Sequence, residues 1–238
     1  MAGDRIPLRV WYPKITKTKE DVTMTELVFI LDRSGSMSGL ESDTVGGFNS
    51  MIGKQKKEPG KCLVSTVLFD NESQVIHDRV PLERVPRLTE KEYFVRGCTA
   101  LLDAVGGAIH HIGNIHKYAR RSDRPEKTMF VITTDGLENA SRRYGYDKVK
   151  KMIERQKEKY GWEFIFLGAN IDAAKEAARF GISADRAVRY QCDSEGTALN
   201  YEVISAAVSS VRACPTAPLG AGWKSRIEAD FKKRGNRQ

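Results

Sequence analysis

The sequence lacks most of the marks that would set it apart from an ordinary globular chain. Its four cysteines, Cys62, Cys98, Cys192 and Cys214, stand far apart with no C-x-x-C pair, which argues against a zinc knot and against a disulfide framework. Small core residues in a reducing compartment are the plain expectation. The opening stretch MAGDRIPLRVWYPK has no apolar run of signal-peptide length, and apolar segments such as LVFIL are too short to cross a bilayer. A cytoplasmic address without membrane contact follows as an expectation. No G-x-S-x-G elbow is present for serine hydrolysis. His77 falls on an expected edge strand, and His110, His111 and His116 share one expected helix without i, i+4 spacing, so the histidines receive no role.

What the chain does have is charge of both signs, with 39 Lys and Arg against 31 Asp and Glu for a net +8. That bias keeps nucleic-acid binding through the basic surface and tail open as an alternative. Part of it sits in the tail KSRIEADFKKRGNRQ, which reads as a frayed terminus or a short surface helix. The run KVKKMIERQKEKYGW is basic as well, but its cations take the solvent side of an amphipathic helix.

The apolar pattern alternates between strands and helices. Glu26 to Leu31 is a nearly continuous apolar run ending at Asp32, as expected of a strand covered on both faces. Val45, Phe48, Met51 and Ile52 then mark a helix closed near Gly60. Lys61 to Phe69 and Glu72 to Val80 flank the turn pair Asp70-Asn71 and read as an antiparallel hairpin whose second strand is an edge. Leu102, Val105, Ile109, Ile112 and Ile115 give a long helix. Lys127 to Thr133 is the next buried strand, Val149, Met152 and Ile153 a helix ending near Tyr160-Gly161, and Trp162 to Leu167 a further strand. Gly168-Ala169-Asn170 makes a turn, Asp172 caps a short helix, Ala187 to Gln191 forms a last strand, and Tyr201, Ile204, Val208 and Val211 stripe a final helix.

This alternation implies an α/β, Rossmann-like, doubly wound sheet of six strands, mainly parallel with one antiparallel edge strand and helices on both faces. The domain is expected over 25–213, between an N-terminal extension, 1–24, and a basic C-terminal tail, 214–238. The extension shows no clear periodicity, and Met24 stands directly before the first strand as a candidate start. A chain beginning there is expected to fold and bind metal as the full chain does.

In such sheets ligands sit beyond the C-terminal strand ends, where strand order reverses. Asp32-Arg33-Ser34-Gly35-Ser36 lies at one of these ends and supplies one carboxylate and two hydroxyls within a turn. Alone, D-x-S-x-S also describes an N-cap or a surface turn. Thr99, just before a helix, and Asp135, just after a strand, add two oxygen donors at matching places. Hard oxygens favour Mg²⁺, with Mn²⁺ or Ca²⁺ as alternatives, and the lack of Cys or His in these motifs argues against zinc. Arg33 is expected to help attract an acidic partner.

With these residues in place, the sequence resembles the von Willebrand factor A family, whose metal-ion-dependent adhesion site is written D-x-S-x-S, then a threonine, then an aspartate. The resemblance spans about Thr25 to Val211 and is strongest to small bacterial or phage stand-alone members, in phrases such as ITTDGLENAS and WEFIFLGANIDA. It implies metal ligation by Asp32, Ser34, Ser36, Thr99 and Asp135, with hydroxyls touching the ion and aspartates acting in part through water. It also implies a non-enzymatic role, in which a protein partner completes the ion's shell with an Asp or Glu. The main enzymatic alternative is a Mg²⁺-dependent phosphotransferase with Asp32 as nucleophile. The position where such enzymes carry a second acid holds Ser34, which is no general acid at neutral pH.

Overall fold

In the strand that ends at Asp32, every side chain from Thr25 to Asp32 is buried, as its apolar run requires of a strand sandwiched between two helical layers. The computed structural model describes residues 23–235. This strand, β1 (Met24–Asp32), is followed by α1 (Glu41–Gln55), then β2 (Lys61–Phe69) and β3 (Ser73–Pro81). Next come α2 (Leu101–Tyr118), β4 (Lys127–Thr134), α3 (Tyr146–Tyr160), β5 (Glu163–Ala169), α4 (Ala173–Arg179), β6 (Ala187–Tyr190), α5 (Ser194–Ala213) and α6 (Ser225–Gly235).

The strands form one six-stranded sheet in the order β3-β2-β1-β4-β5-β6. Among the described residues only β3 runs antiparallel, against β2, and it occupies the edge as the hairpin reading expects. All other neighbours are parallel. The alternation along β1 divides the core: Leu27, Phe29 and Leu31 face α1, α5 and α6, whereas Val28 and Ile30 face α2, α3 and α4. The expected caps also hold, since Asp172 accepts the Lys175 N–H at 3.0 Å and α3 ends on Gly161 at φ +64°.

Within the stretch read as a tail, α6 packs against β6 and α5. Its Ile227 is only 1% exposed and belongs to the same apolar cluster as Phe29 and Val208. The extension before Thr23, which is all but one residue of what a start at Met24 would remove, lies outside the described residues. Among the described residues no helix is long and apolar enough to cross a membrane.

Candidate metal centre

The chain leaves β1 toward β2 on one side and returns in β4 on the other, so strand order reverses between β1 and β4. Asp32 is the last residue of β1 and Asp135 the first after β4. Because Leu31 pairs with Thr133 across these two strands, both carboxylates open onto the same crevice. They are buried, at 1% and 2% exposure.

The turn after Asp32 folds back on that carboxylate. The Ser34 N–H donates to Asp32 Oδ1 at 2.7 Å, and a short 3-10 turn over Gly35–Met37 follows. That turn brings Ser34 Oγ and Ser36 Oγ to 3.2 Å from each other. Ser36 Oγ then reaches across 99 positions of sequence to donate to Asp135 Oδ1 at 2.5 Å. The second oxygen of Asp32 accepts from Thr134 Oγ1 at 2.6 Å, and its backbone carbonyl accepts from the Tyr93 hydroxyl at 2.5 Å.

Thr99 arrives on the loop ahead of α2. That loop is sewn to the first by the Gly35 N–H on Gly97 O at 3.0 Å and the Arg96 N–H on Arg33 O at 2.9 Å. Gly97 sits at φ +67°, and a Cβ there would fall 1.9 Å from Asn71 Oδ1, so the turn requires glycine. Thr99 is 3% exposed. A Cβ placed on Gly136 would lie 3.3 Å from Thr99 Oγ1 and 3.5 Å from Ser36 Oγ, so both hydroxyls face the space that this glycine leaves open. The structure thus brings all five sequence-derived side chains together.

Burial pushes the Asp32 carboxyl from its ordinary 3.8 up to about 6, against hydrogen bonds from Ser34 and Thr134 that lower it, with the charge of Asp135 adding to the rise. Burial likewise raises Asp135, partly offset by its bond to Ser36. Among the described residues no three His, Cys, Asp or Glu side chains gather as a metal-holding group. The crevice instead offers two carboxylates and three hydroxyls, all hard oxygen donors. That donor set fits a hard divalent ion.

Two expectations need correction. Arg33 does not face outward: it is 1% exposed and its Nε donates to Asp70 Oδ2 at 2.8 Å, with Nη1 on Gln74 Oε1 at 2.9 Å. It braces the loop and is closed to a partner. Of the four cysteines expected in the core, Cys62 is buried but Cys98 and Cys214 are exposed, and Cys192, half-buried against the core, lies beside the centre with Sγ 3.9 Å from Asp135 Oδ2. Burial pushes its thiol up to about 11, aided by the neighbouring Asp135 charge. Thr134 and Tyr93 were also missed. The hydroxyl directly before Asp135 in TTDGLENAS was a visible signal for the first, but nothing local marks Tyr93, which is 61 positions from Asp32.

The architecture is that of the von Willebrand factor A fold. Solved structures that share it include the von Willebrand factor type A protein from Catenulispora acidiphila, 14% identical over 79% of this chain and 43% of that one, with a TM-score of 0.54. The vWF domain of the type V pili tip protein Mfa5 from Porphyromonas gingivalis matches at 9% identity over 79% of this chain and 96% of that one, TM-score 0.56. Proximal thread matrix protein 1 from the mussel byssus, with a zinc-occupied MIDAS motif, matches at 12% identity over 79% and 46%, TM-score 0.54. The chain spans less than half the length of the Catenulispora and mussel chains, 43% and 46%. No family model and no curated protein matches it.

Proposed function

We propose that this chain is a metal-dependent protein-binding domain, in which Asp32, Ser34, Ser36, Thr99 and Asp135 hold one Mg²⁺ and a partner protein supplies an Asp or Glu to complete its shell. The observation that carries this reading is the bridge from Ser36 Oγ to Asp135 Oδ1, which joins the D-x-S-x-S turn to the far side of the crevice where the Thr99 hydroxyl also opens. When bound, the ion would supply Lewis acidity that an outside anion could engage in place of water. The chain's part is to hold the donors and shield them. Mn²⁺ and Ca²⁺ fit the same oxygens, and the zinc in the mussel protein's MIDAS motif makes zinc a fourth metal to assay.

Several features favour a binding role over a catalytic one. Both Asp32 oxygens already accept hydrogen bonds, from Ser34 and Thr134, an arrangement that suits a held ligand more than an attacking nucleophile. Ser34 stands where a phosphotransferase needs its second acid. Nucleic-acid binding through α6 loses support because Arg234 is tied to Asp230 and Asp193, both at 2.5 Å. A cytoplasmic setting is part of the proposal, in line with four free thiols.

The test is thermal melting with Mg²⁺, Mn²⁺ or chelator. Metal at a hundred times its Kd is expected to add about 2.7 kcal/mol. Asp32→Ala and Thr99→Ala should abolish the shift while the chelator melt persists, with the carboxylate loss costing more affinity than the hydroxyl loss. A melt indifferent to all three conditions overturns the reading. A pull-down with and without Mg²⁺ then identifies the acidic partner.

A further inference from the structure

The helix that presents Thr99 begins without a cap of its own. Its N-cap is Ala100, which has no side-chain acceptor for the orphan N–H groups of the first turn. Two of those groups, the N–H groups of Leu102 and Asp103, are satisfied by the loop that carries Asp135. Glu138 Oε2 accepts the Leu102 N–H at 2.8 Å and the Ser141 hydroxyl at 2.8 Å. Its Oε1 accepts the N–H groups of Ala140 at 3.0 Å and Ser141 at 2.7 Å. Ser141 Oγ takes the Asp103 N–H at 2.9 Å. Asp103 returns the contact from the helix, its carboxylate accepting the N–H groups of Arg142, Arg143 and Tyr144 at 3.0, 2.9 and 2.9 Å.

Thr99 itself is gripped on both sides of its backbone. Its N–H donates to Asn139 Oδ1 at 2.9 Å. Its carbonyl accepts from the N–H groups of Asn139 at 3.0 Å and Ala140 at 3.2 Å. A carboxylate has about four lone-pair sites, and four donors already fill those of Glu138. Glu138 is therefore spent on this clasp and is not a further ligand.

We propose that Glu138 and Asn139 are positioning residues of the metal centre: they cap α2 from the Asp135 loop and lock the Thr99 backbone, so that the Thr99 hydroxyl and the Asp135 carboxylate move as one unit. This rests on the metal-binding reading above. Hydrogen bonds behind a metal's own ligands typically hold about 10- to 100-fold of its affinity, and a clasp of this density is built to do so. A cap that served stability alone would lower the melting temperature and leave metal affinity untouched.

The experiment compares Mn²⁺ affinity, chelator melting temperature and amide hydrogen exchange for the full chain and its variants. Glu138→Gln places an NH₂ group opposite N–H or O–H donors, and Asn139→Ala removes the acceptor for the Thr99 N–H. Each is expected to weaken Mn²⁺ binding by about 10- to 100-fold. In chelator, the Leu102 amide should exchange faster in the first and the Thr99 amide faster in the second, with Asn139→Asp keeping Thr99 protected. Ile227→Ala, buried in α6 and outside the five-residue centre, should lower the chelator melt while Mn²⁺ affinity stays at the wild-type value. Wild-type Mn²⁺ binding with unchanged affinity in both variants, or unchanged exchange at both amides, overturns the clasp alone. Absence of Mn²⁺ binding by the wild-type chain overturns the metal reading and the positioning role together.

Discussion

Arg33 and Asp70 form an ion pair at 2.8 Å with both side chains almost wholly out of solvent, at 1% and 2% exposure. Burial raises the Asp70 carboxyl, but hydrogen bonds from Arg96, the Glu72 backbone and Arg33 outweigh it and leave it below the usual carboxylate range. Removing one member of a buried pair strands the other charge, at a cost of about 3–5 kcal/mol. Arg33→Ala is expected near the low end of that range, because Arg96 still reaches Asp70 at 2.8 Å. Denaturant unfolding in chelator measures it, and Arg33→Ala combined with Asp70→Ala should cost less than the sum of the two single changes. Additive losses would mean that the pair carries no coupling.

Gly136 separates stability from metal affinity. Its φ lies outside the left-handed region, so alanine suits the backbone, yet the added Cβ would sit 3.3 Å from Thr99 Oγ1 and 3.5 Å from Ser36 Oγ. Gly136→Ala is expected to leave the chelator melt close to wild type. It should weaken Mn²⁺ or Mg²⁺ binding by about tenfold or more, on the order of 1.4 kcal/mol, as titration calorimetry would read. Wild-type affinity would mean the cation lies elsewhere in the crevice.

Acidity should act on the metal-free and metal-bound chains in opposite ways. With no cation, the folded state holds the Asp32 proton up to about 6 whereas the unfolded chain releases it near 3.8. The native state therefore binds more protons in that interval, and the Asp32 contribution to stability declines as pH rises through it. Burial holds the imidazole of His77 below its ordinary 6.5, which opposes this trend, since the unfolded chain gains that proton first on acidification. The difference between wild type and Asp32→Asn in chelator isolates the Asp32 part, and it should favour wild type more at pH 4.5 than at pH 7. Metal affinity should fall below about pH 6, by about tenfold per pH unit for one displaced proton. A metal affinity flat from pH 7 to 5 would contradict an ionised Asp32 in the bound state.

The parts of this molecule that the sequence made legible are those written in local pattern. ELVFIL reads as a two-face-buried strand because no polar residue interrupts it, and Asp32 ends it where the structure does, at the C-terminal edge of the sheet. The D-x-S-x-S turn, Thr99 before α2 and Asp135 after β4 each follow from an element boundary, so their convergence needed only the topology. What stayed hidden depends on contacts across the chain. Arg33 looks like a surface cation in DRSGSM, and only the packing of β2 and the loop after β3 turns it inward, with Asp70 lying 37 positions away. Cys192 reaches Asp135 from 57 positions away through the end of β6, a strand too short to announce its register. Glu138 and Asn139 stood in the quoted TTDGLENAS, but the partners that matter, Leu102 in α2 and Thr99 on the loop before it, lie 36 and 40 positions away, and spacing within a loop does not encode those.

The segment beyond α5 gives the last outcome to test, because its composition and its packing point in different directions. KSRIEADFKKRGNRQ is mostly charged, which favours solvent, yet α6 places Ile227 at 1% exposure among Phe29, Val208 and their neighbours. It also has lateral ties: Trp223 Nε1 donates to Asp185 O at 2.8 Å and Lys224 Nζ to Ala187 O at 2.8 Å. Truncating a buried isoleucine to alanine typically costs about 2–5 kcal/mol. Ile227→Ala is therefore expected to destabilise the whole domain by at least about 2 kcal/mol in a single cooperative transition, and removal of 214–238 should cost more. If unfolding of the Ile227→Ala chain matches wild type in midpoint and slope, α6 is a dispensable appendage, and the apolar layer facing α1 and α5 closes without it.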